Sequence, residues 1–159
     1  MLGAIIGDIV GSPYEFDCNN IKTKDFPLFS SSSYFTDDTV LTIAISIGII
    51  KGYKNKEKTR IELIKCVKEI CKKYPYSGYG NNFLDWLYSS SNKPYNSCGN
   101  GSAMRVSSIA YIYDTLEEVE EYARISSEIT HNHKEGIKGA QAVASSIFFS
   151  RKGYSKEYI

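Results

Sequence analysis

Residues 36–52 read TDDTVLTIAISIGIIKG, an almost wholly apolar stretch that opens with two acidic residues. Its many β-branched side chains are also typical of a strand. Its length exceeds that of ordinary strands, however, and Thr36 followed by two acids has the form of an N-cap and a favourable first helical turn. The stretch therefore predicts a buried helix from Asp37 to about Gly52.

Helical signals also dominate the rest of the chain. Residues 56–74 place apolar side chains at helical spacing and end before Pro75. Thr115 and Glu118 have the form of a capping box, and residues 132–135 read as another helix start. We predict an all-α single domain over residues 1–159, with loops at 16–35 and 94–101. Its predicted helices cover 2–10, 37–52, 56–74, the region of 83–87, 102–113, 116–130, and a last helix ending near 151.

Both ends of the chain carry further signals. Glycines at 3, 7 and 11 are spaced by four, which puts them on one helix face and predicts close backbone packing there. Residues 155–159 resemble the start of a new helix after a C-capping Gly153. A helix of barely one turn is marginal. We therefore expect a truncated fold, the N-terminal portion of a larger domain, with a frayed terminus as the alternative.

The composition excludes several classes of function. The chain has 159 residues, a net charge of +1 and 42% hydrophobic residues, as expected for a globular domain. This balance argues against nucleic-acid or anionic-membrane partners, and the apolar N-terminus lacks the features of a signal peptide. The four cysteines, at 18, 66, 71 and 98, show no zinc-binding spacing. Reduced thiols and a cytoplasmic location are therefore favoured over two disulfides.

Thr36, Asp37 and Asp38 have two interpretations. As the start of a helix they satisfy free backbone N–H groups, and on spacing alone this structural role is somewhat favoured. As ligands, one hydroxyl and two carboxylates provide oxygen donors, which suit Mg²⁺ or Mn²⁺. One short loop cannot complete an octahedron, so further ligands must come from elsewhere or from water.

Residues 97–105, SCGNGSAMR, form a second candidate site. Its glycines let a ligand approach the backbone, and a helix starting at Ser102 would offer free N–H groups to a phosphate. No Gly-Lys-Ser/Thr follows, which excludes a Walker loop. A simple turn before a helix is the alternative.

Three isolated features are weaker. Glu15 is a candidate acid or base, although a glutamate after a helix is usually only solvated. His131 and His133 form an H-x-H pair, for which capping, or packing of His131 against a ligand, is favoured over metal binding. Residues 78–80, Gly-Tyr-Gly, form either a binding loop or a turn.

The order of the motifs is more specific than any one of them. The series runs Gly7-Asp8 with Gly11 and Glu15, then 35–39, then 99–105, then Thr130-His131 before an alanine-rich helix. It covers almost the whole chain and resembles the ADP-ribosylglycohydrolase family, which includes the dinitrogenase reductase-activating glycohydrolase.

This resemblance implies an all-α orthogonal helical bundle. The implied activity is removal of ADP-ribose from N- or O-linked ADP-ribosylated proteins or small molecules, with a pair of Mg²⁺ or Mn²⁺ ions as cofactor. Thr36, Asp37 and Asp38 would be metal ligands, and Glu15 and Asp37 would be catalytic. The loop at 99–105 would hold the distal ribose and diphosphate. The implied substrate-binding residues are Gly80, Gly99, Asn100, Gly101, Ser102, Met104, Arg105 and His131.

The family's second acidic string, Asp-x-Asp-Thr, has no counterpart here, because no aspartate follows Asp114. The ligands of the second ion are therefore missing. Three interpretations remain: a hydrolase, a catalytically impaired ADP-ribose-binding module, or one subunit of a split enzyme. In the last case a complementing C-terminal chain or a homo-oligomer would complete the site.

Overall fold

A computed structural model describes residues 1–15 and 21–159, and every described regular element is helical. This confirms the all-α prediction. Cys18, and the start of the loop predicted at 16–35, lie outside the described residues. The seven α-helices of the described part are α1 (Leu2–Gly11), α2 (Asp37–Gly52), α3 (Lys56–Cys71), α4 (Asn81–Tyr88), α5 (Ile109–Ile112), α6 (Leu116–Glu128) and α7 (Lys134–Arg151).

Helix α2 is the centre of the fold and packs most extensively against α3. Two glycines allow this close approach. A Cβ at Gly48 would lie 2.9 Å from the Cα of Leu63, and one at Gly52 would overlap the Cα of Thr59. Thr59 is fully buried and donates its hydroxyl hydrogen to the carbonyl of Gly52. The strand alternative for residues 36–52 is therefore wrong.

A side-chain hydrogen bond caps the N-terminus of four of the seven described α-helices, α2, α3, α6 and α7. Thr36 caps α2 and Thr115 caps α6, each accepting a hydrogen bond from the backbone N–H of the residue two or three positions later. Gly153 follows α7 with a φ of +86°, the left-handed conformation that glycine adopts readily. The N–H groups of Gly153 and Tyr154 bond to carbonyls of the last turn, which forms a Schellman motif.

The predicted helix over 102–113 is wrong. A three-residue 3₁₀ helix covers Asn100–Ser102, turns follow, and only Ile109–Ile112 is α-helical. The reason is tertiary. Ser102 and Arg105 are both fully buried, and both bond to backbone carbonyls of distant segments, those of Gly136 and Ser126. These side chains fix a backbone path that a regular helix does not follow.

The expectation of close packing along the glycine face of α1 is also wrong. A Cβ at Gly3, Gly7 or Gly11 would meet no heavy atom of the described residues within 4 Å, and α1 contains no fully buried residue. Gly7 and Gly11 instead border an open cleft. Among the described residues, no helix is long and apolar enough to cross a lipid bilayer.

Candidate functional site

Two adjoining clefts bring most of the predicted site residues together. We call them the Arg105 cleft and the Glu15 cleft, and Asn100 and Met104 line both of them. The Arg105 cleft has a volume of about 470 Å³ and also contains Asp37, Gly80, Gly99, Gly101 and His131. The Glu15 cleft also contains Gly7, Asp8, Gly11, Thr36 and Asp38.

Asp8 organises the Glu15 cleft. One oxygen of its carboxylate accepts from the hydroxyl of Thr36 at 2.6 Å. The other accepts from the backbone N–H of Thr36 at 2.8 Å, and from the N–H and the hydroxyl of Thr39. Asp8 therefore ties α1 to the first turn of α2, the turn that carries Asp37 and Asp38.

Sequence analysis did not list Asp8 among the site residues. The signal was present, because Asp8 is the one charged residue in the apolar helix at 2–11. Its partners Thr36 and Thr39 lie about 30 positions away, and sequence spacing alone did not connect them to it.

The adjacent carboxylates of Asp37 and Asp38 are in an electrostatically unfavourable setting. Burial, together with the charge of Asp38, raises the pKa of Asp37 to about 7. Burial and the charges of Asp8 and Glu15 likewise raise the pKa of Asp38. Neither forms an ion pair with any lysine or arginine that the structure describes.

These residues fit part of a divalent-cation site. A bound cation stabilises the charged form of desolvated carboxylates that have no cationic side chain as a partner. All the possible ligand atoms here are oxygens, which suit a hard divalent cation. The fit is incomplete, because Asp37 faces the Arg105 cleft whereas Asp38 faces the Glu15 cleft. Within residues 1–15 and 21–159, no cluster of three or more His, Cys, Asp or Glu side chains is arranged to hold a metal.

Arg105 is fully buried, and its side chain borders the cleft named after it. Its Nη2 donates to the carbonyl of Ser126 at 2.8 Å and to the hydroxyl of Thr130 at 2.9 Å. Nε and Nη1 have no partner among the described residues. Burial lowers the pKa of Arg105 to about 10, so the guanidinium stays charged at neutral pH. A buried cation with free donors suits an anionic ligand.

His131 forms one wall of the Arg105 cleft, where its Nε2 lies close to the glycine loop. A Cβ at Gly101 would lie 3.0 Å from this atom, so only glycine fits there without displacing the imidazole. Burial lowers the pKa of His131 to about 4, and the charge of Arg105 acts in the same direction. The imidazole is therefore neutral at physiological pH.

The remaining predicted residues have more local roles. Ser102 lines neither cleft, because its hydroxyl donates to the carbonyl of Gly136, and no α-helix starts there to offer N–H groups to a phosphate. His133 caps α7 by accepting from the N–H of Glu135. Neither histidine is part of a metal-binding cluster in the described residues.

Gly80 lines the Arg105 cleft at the start of α4. The chain reaches it through Gly78, whose φ is +97° and which lies against a carboxylate oxygen of Asp37. Cys66, Cys71 and Cys98 form no disulfide bond with one another.

Comparison with known proteins places the chain in a family. The family model described as ADP-ribosylglycohydrolase matches residues 1–155. ADP-ribosylhydrolase ARH3 of Mus musculus and of Homo sapiens are both 26% identical to the chain, over 98% of its length. The protein of the same name from Gallus gallus is 25% identical over 96% of the chain. The match covers 49 to 50% of these relatives, so the chain spans about half their length.

Proposed function

The chain belongs to the ADP-ribosylglycohydrolase family, and on that premise we propose that its two clefts bind and hydrolyse an ADP-ribosyl group. The observation that carries the proposal is their junction at Asn100 and Met104. On one side lies a buried cation beside a glycine loop, and on the other a group of carboxylates. An ADP-ribosyl group has the matching chemistry, with a diphosphate at one end and a ribose carrying the scissile bond at the other.

In this proposal the Arg105 cleft holds the diphosphate and the nucleotide side of the ligand. The buried guanidinium of Arg105, whose Nε and Nη1 have no partner among the described residues, offsets the charge of the diphosphate. The glycines at 99 and 101 permit close approach of the ligand to the backbone, and His131 limits the space opposite them. Binding energy from this end positions the reacting ribose carbon at the junction.

The Glu15 cleft would carry the chemistry. Cleavage at an anomeric carbon passes through a state with oxocarbenium character, which nearby carboxylates stabilise. Glu15 lines this cleft together with Asp38 and serves as acid or base in the proposal. Asp37, which lines the adjoining Arg105 cleft, is the second residue to which the proposal gives a catalytic role.

Thr36, Asp37 and Asp38 are the residues that would hold a Mg²⁺ or Mn²⁺ ion. When bound, such an ion would orient ribose hydroxyls and make a water more acidic. The Thr36 hydroxyl donates its hydrogen to the carboxylate of Asp8, and this bond would hold the hydrogen on the side away from the cation. The Thr36 oxygen then retains a lone pair for a cation.

The experiment that tests this function is an isothermal titration of ADP-ribose into the chain, with Mg²⁺ and then with EDTA, paired with an assay for ADP-ribose release from a modified peptide. We expect binding that Mg²⁺ strengthens. Arg105→Lys should weaken it, because the planar donor fork is lost. A matched control is Arg124→Lys, a change of the same kind at an arginine on α6 that lines neither cleft. Absence of ADP-ribose binding under both conditions would refute the proposal.

A second candidate is an ADP-ribose-binding module without catalysis. The observation that favours it is the incomplete acidic set, in which Asp37 and Asp38 face different clefts. This candidate predicts that EDTA leaves the affinity unchanged and that no ADP-ribose is released. Metal-dependent release by the chain alone would rule it out.

The third interpretation that the sequence leaves open is a split site, and for it we propose that a complementing C-terminal chain or a second copy supplies the missing part. Sedimentation equilibrium over a wide concentration range tests the homo-oligomer. A monomer at every concentration, with Mg²⁺ and ADP-ribose present, would exclude it. A cytoplasmic location stays a prediction.

A further inference from the structure

A buried chain of hydrogen bonds links Arg105 to His131 through Thr130. Arg105 and Thr130 are both fully buried, and His131 is 5% exposed. Arg105 Nη2 lies 2.9 Å from Thr130 Oγ1, which lies 2.8 Å from His131 Nδ1. The hydroxyl of Thr130 therefore connects the cation of the cleft to the imidazole on its wall.

The chemistry of the three side chains determines which atom donates in each of these two hydrogen bonds. A guanidinium can only donate, so the hydroxyl oxygen of Thr130 accepts from Arg105. The hydroxyl then has one hydrogen left, and in the described residues its remaining hydrogen-bond partner is His131 Nδ1. The hydroxyl donates to Nδ1, which must be the unprotonated nitrogen of the neutral ring.

The opposite tautomer would leave a buried group unpaired. If Nδ1 carried the proton, both it and Arg105 would donate to Thr130, and the hydroxyl hydrogen would have no acceptor among the described residues. An unpaired buried donor disfavours a state by roughly five- to a hundredfold. The tautomer protonated at Nε2 is therefore the major one.

The proton on Nε2 faces the glycine loop of the Arg105 cleft. A Cβ at Gly101 would lie 3.0 Å from Nε2, one at Gly99 would lie 3.9 Å away, and no described residue accepts a hydrogen bond from this nitrogen. A donor that borders a cleft without a protein acceptor is available to a ligand oxygen.

We propose that Thr130 is a positioning residue that fixes His131 as an Nε2–H donor, aimed at an acceptor oxygen of the ligand in the Arg105 cleft. The part about the tautomer depends only on the structure of the free protein. The part about the ligand rests on the proposed function, in which the acceptor is a phosphoryl or ribose oxygen. An imidazole nitrogen that only donates, next to a cation, favours an oxygen acceptor over a ligand N–H group at this position of the cleft.

The tautomer can be measured directly. Long-range ¹H–¹⁵N correlation spectra of the histidine side chains distinguish a protonated nitrogen from an unprotonated one. In the free wild-type protein we expect His131 to be protonated at Nε2 only. A His131 ring protonated at Nδ1 would overturn the proposal, and this measurement needs neither a variant nor a ligand.

Two variants at one position test the role of Thr130. Thr130→Ser keeps the hydroxyl and should keep the tautomer. Thr130→Val keeps the shape but removes the hydroxyl, so a mixture of the two tautomers should appear. The control is Ser127→Ala, which removes a buried hydroxyl that donates to the backbone carbonyl of His131 rather than to its ring. A pure Nε2–H form in Thr130→Val would contradict the assigned role.

Titration with ADP-ribose tests the ligand part. Thr130→Val should bind about three- to tenfold more weakly than wild type, as expected for one misdirected hydrogen bond, and Thr130→Ser should restore binding. Equal affinities of Thr130→Val and wild type would overturn the ligand part. If wild type binds no ADP-ribose, the proposed function fails, whereas the spectra still decide the tautomer.

Discussion

Replacement of Asp8 by asparagine tests whether a single carboxylate holds the candidate site together. The carboxylate accepts four hydrogen bonds, two from Thr36 and two from Thr39. The asparagine side chain would keep one acceptor oxygen and place an NH₂ group where the other oxygen lay. The amide oxygen at the position of Oδ2 would preserve three of the bonds, and the NH₂ group would then face the hydroxyl of Thr36.

The expected loss of stability follows from these four bonds. A hydrogen bond to a charged group contributes about 1.5–3 kcal/mol and one to a neutral group about 0.5–1.5 kcal/mol. Asp8→Asn removes one bond, worth about 1.5–3 kcal/mol, and converts three to the neutral kind at a loss of about 1–1.5 kcal/mol each, which gives a gross loss of about 4.5–7.5 kcal/mol. The change also removes a negative charge that raises the pKa of Asp38, which offsets part of the loss. We therefore expect a net decrease in the free energy of unfolding of about 4 kcal/mol.

Urea denaturation measures this decrease. With a denaturant slope of about 2 kcal/mol/M, the midpoint should fall by about 2 M while the slope stays unchanged. The control is Asp85→Asn, the same chemical change at an exposed position on α4. If both variants unfold at the urea concentration of the wild type, the Asp8 hydrogen bonds do not stabilise the fold, and the reasoning is wrong.

Three further results follow from the packing and the buried charge. Gly52→Ala should lower the free energy of unfolding by about 1–3 kcal/mol because its Cβ would overlap Thr59. Gly7→Ala is the control and should not lower it, because a Cβ at Gly7 would meet no described heavy atom within 4 Å. Equal urea midpoints for the two variants would contradict the prediction. Burial holds the pKa of His131 near 4 in the folded protein, so between about pH 4 and 6.5 the unfolded chain binds more protons than the folded one. The contribution of His131 to the free energy of unfolding therefore falls as the pH drops through that range. The urea midpoint should therefore decrease more between about pH 7 and 5 in wild type than in His131→Gln. The raised pKa of Asp37 changes stability in the opposite direction, but it does so equally in both proteins. Identical decreases in the two proteins would contradict the lowered pKa of His131. Gly101→Ala should weaken ADP-ribose binding by displacing His131, while Gly139→Ala, whose Cβ would meet only an ordinary contact, serves as its control.

Features that depend on neighbouring residues could be predicted from the sequence. Thr36 and Thr115 were recognised as helix caps, and the structure confirms both. The glycine at 153 was recognised as a helix stop, and its positive φ confirms that as well. In each case the donor and acceptor are a few positions apart, so the residue types are sufficient.

Features that depend on distant residues could not be predicted in this way. The backbone from Ser102 to Ser108 has the composition of a helix, but Arg105 bonds to residues on α6 and beyond it, and the regular helix does not form. The glycines of α1 have the spacing of a packing face, yet Gly7 and Gly11 border the Glu15 cleft instead.

The sequence by itself determined the helical class, the positions of most helices and the group of motifs that assigns the chain to its family, because these depend on periodicity, capping and residue order. Only the tertiary structure decided that Asp8 anchors Thr36 and Thr39, that Asp37 and Asp38 face different clefts, and that Thr130 lies between Arg105 and His131. Most of these contacts join residues more than 20 positions apart. The folding of the whole chain brings such residues within hydrogen-bonding distance, and burial then gives their charges and protons the properties that a site requires.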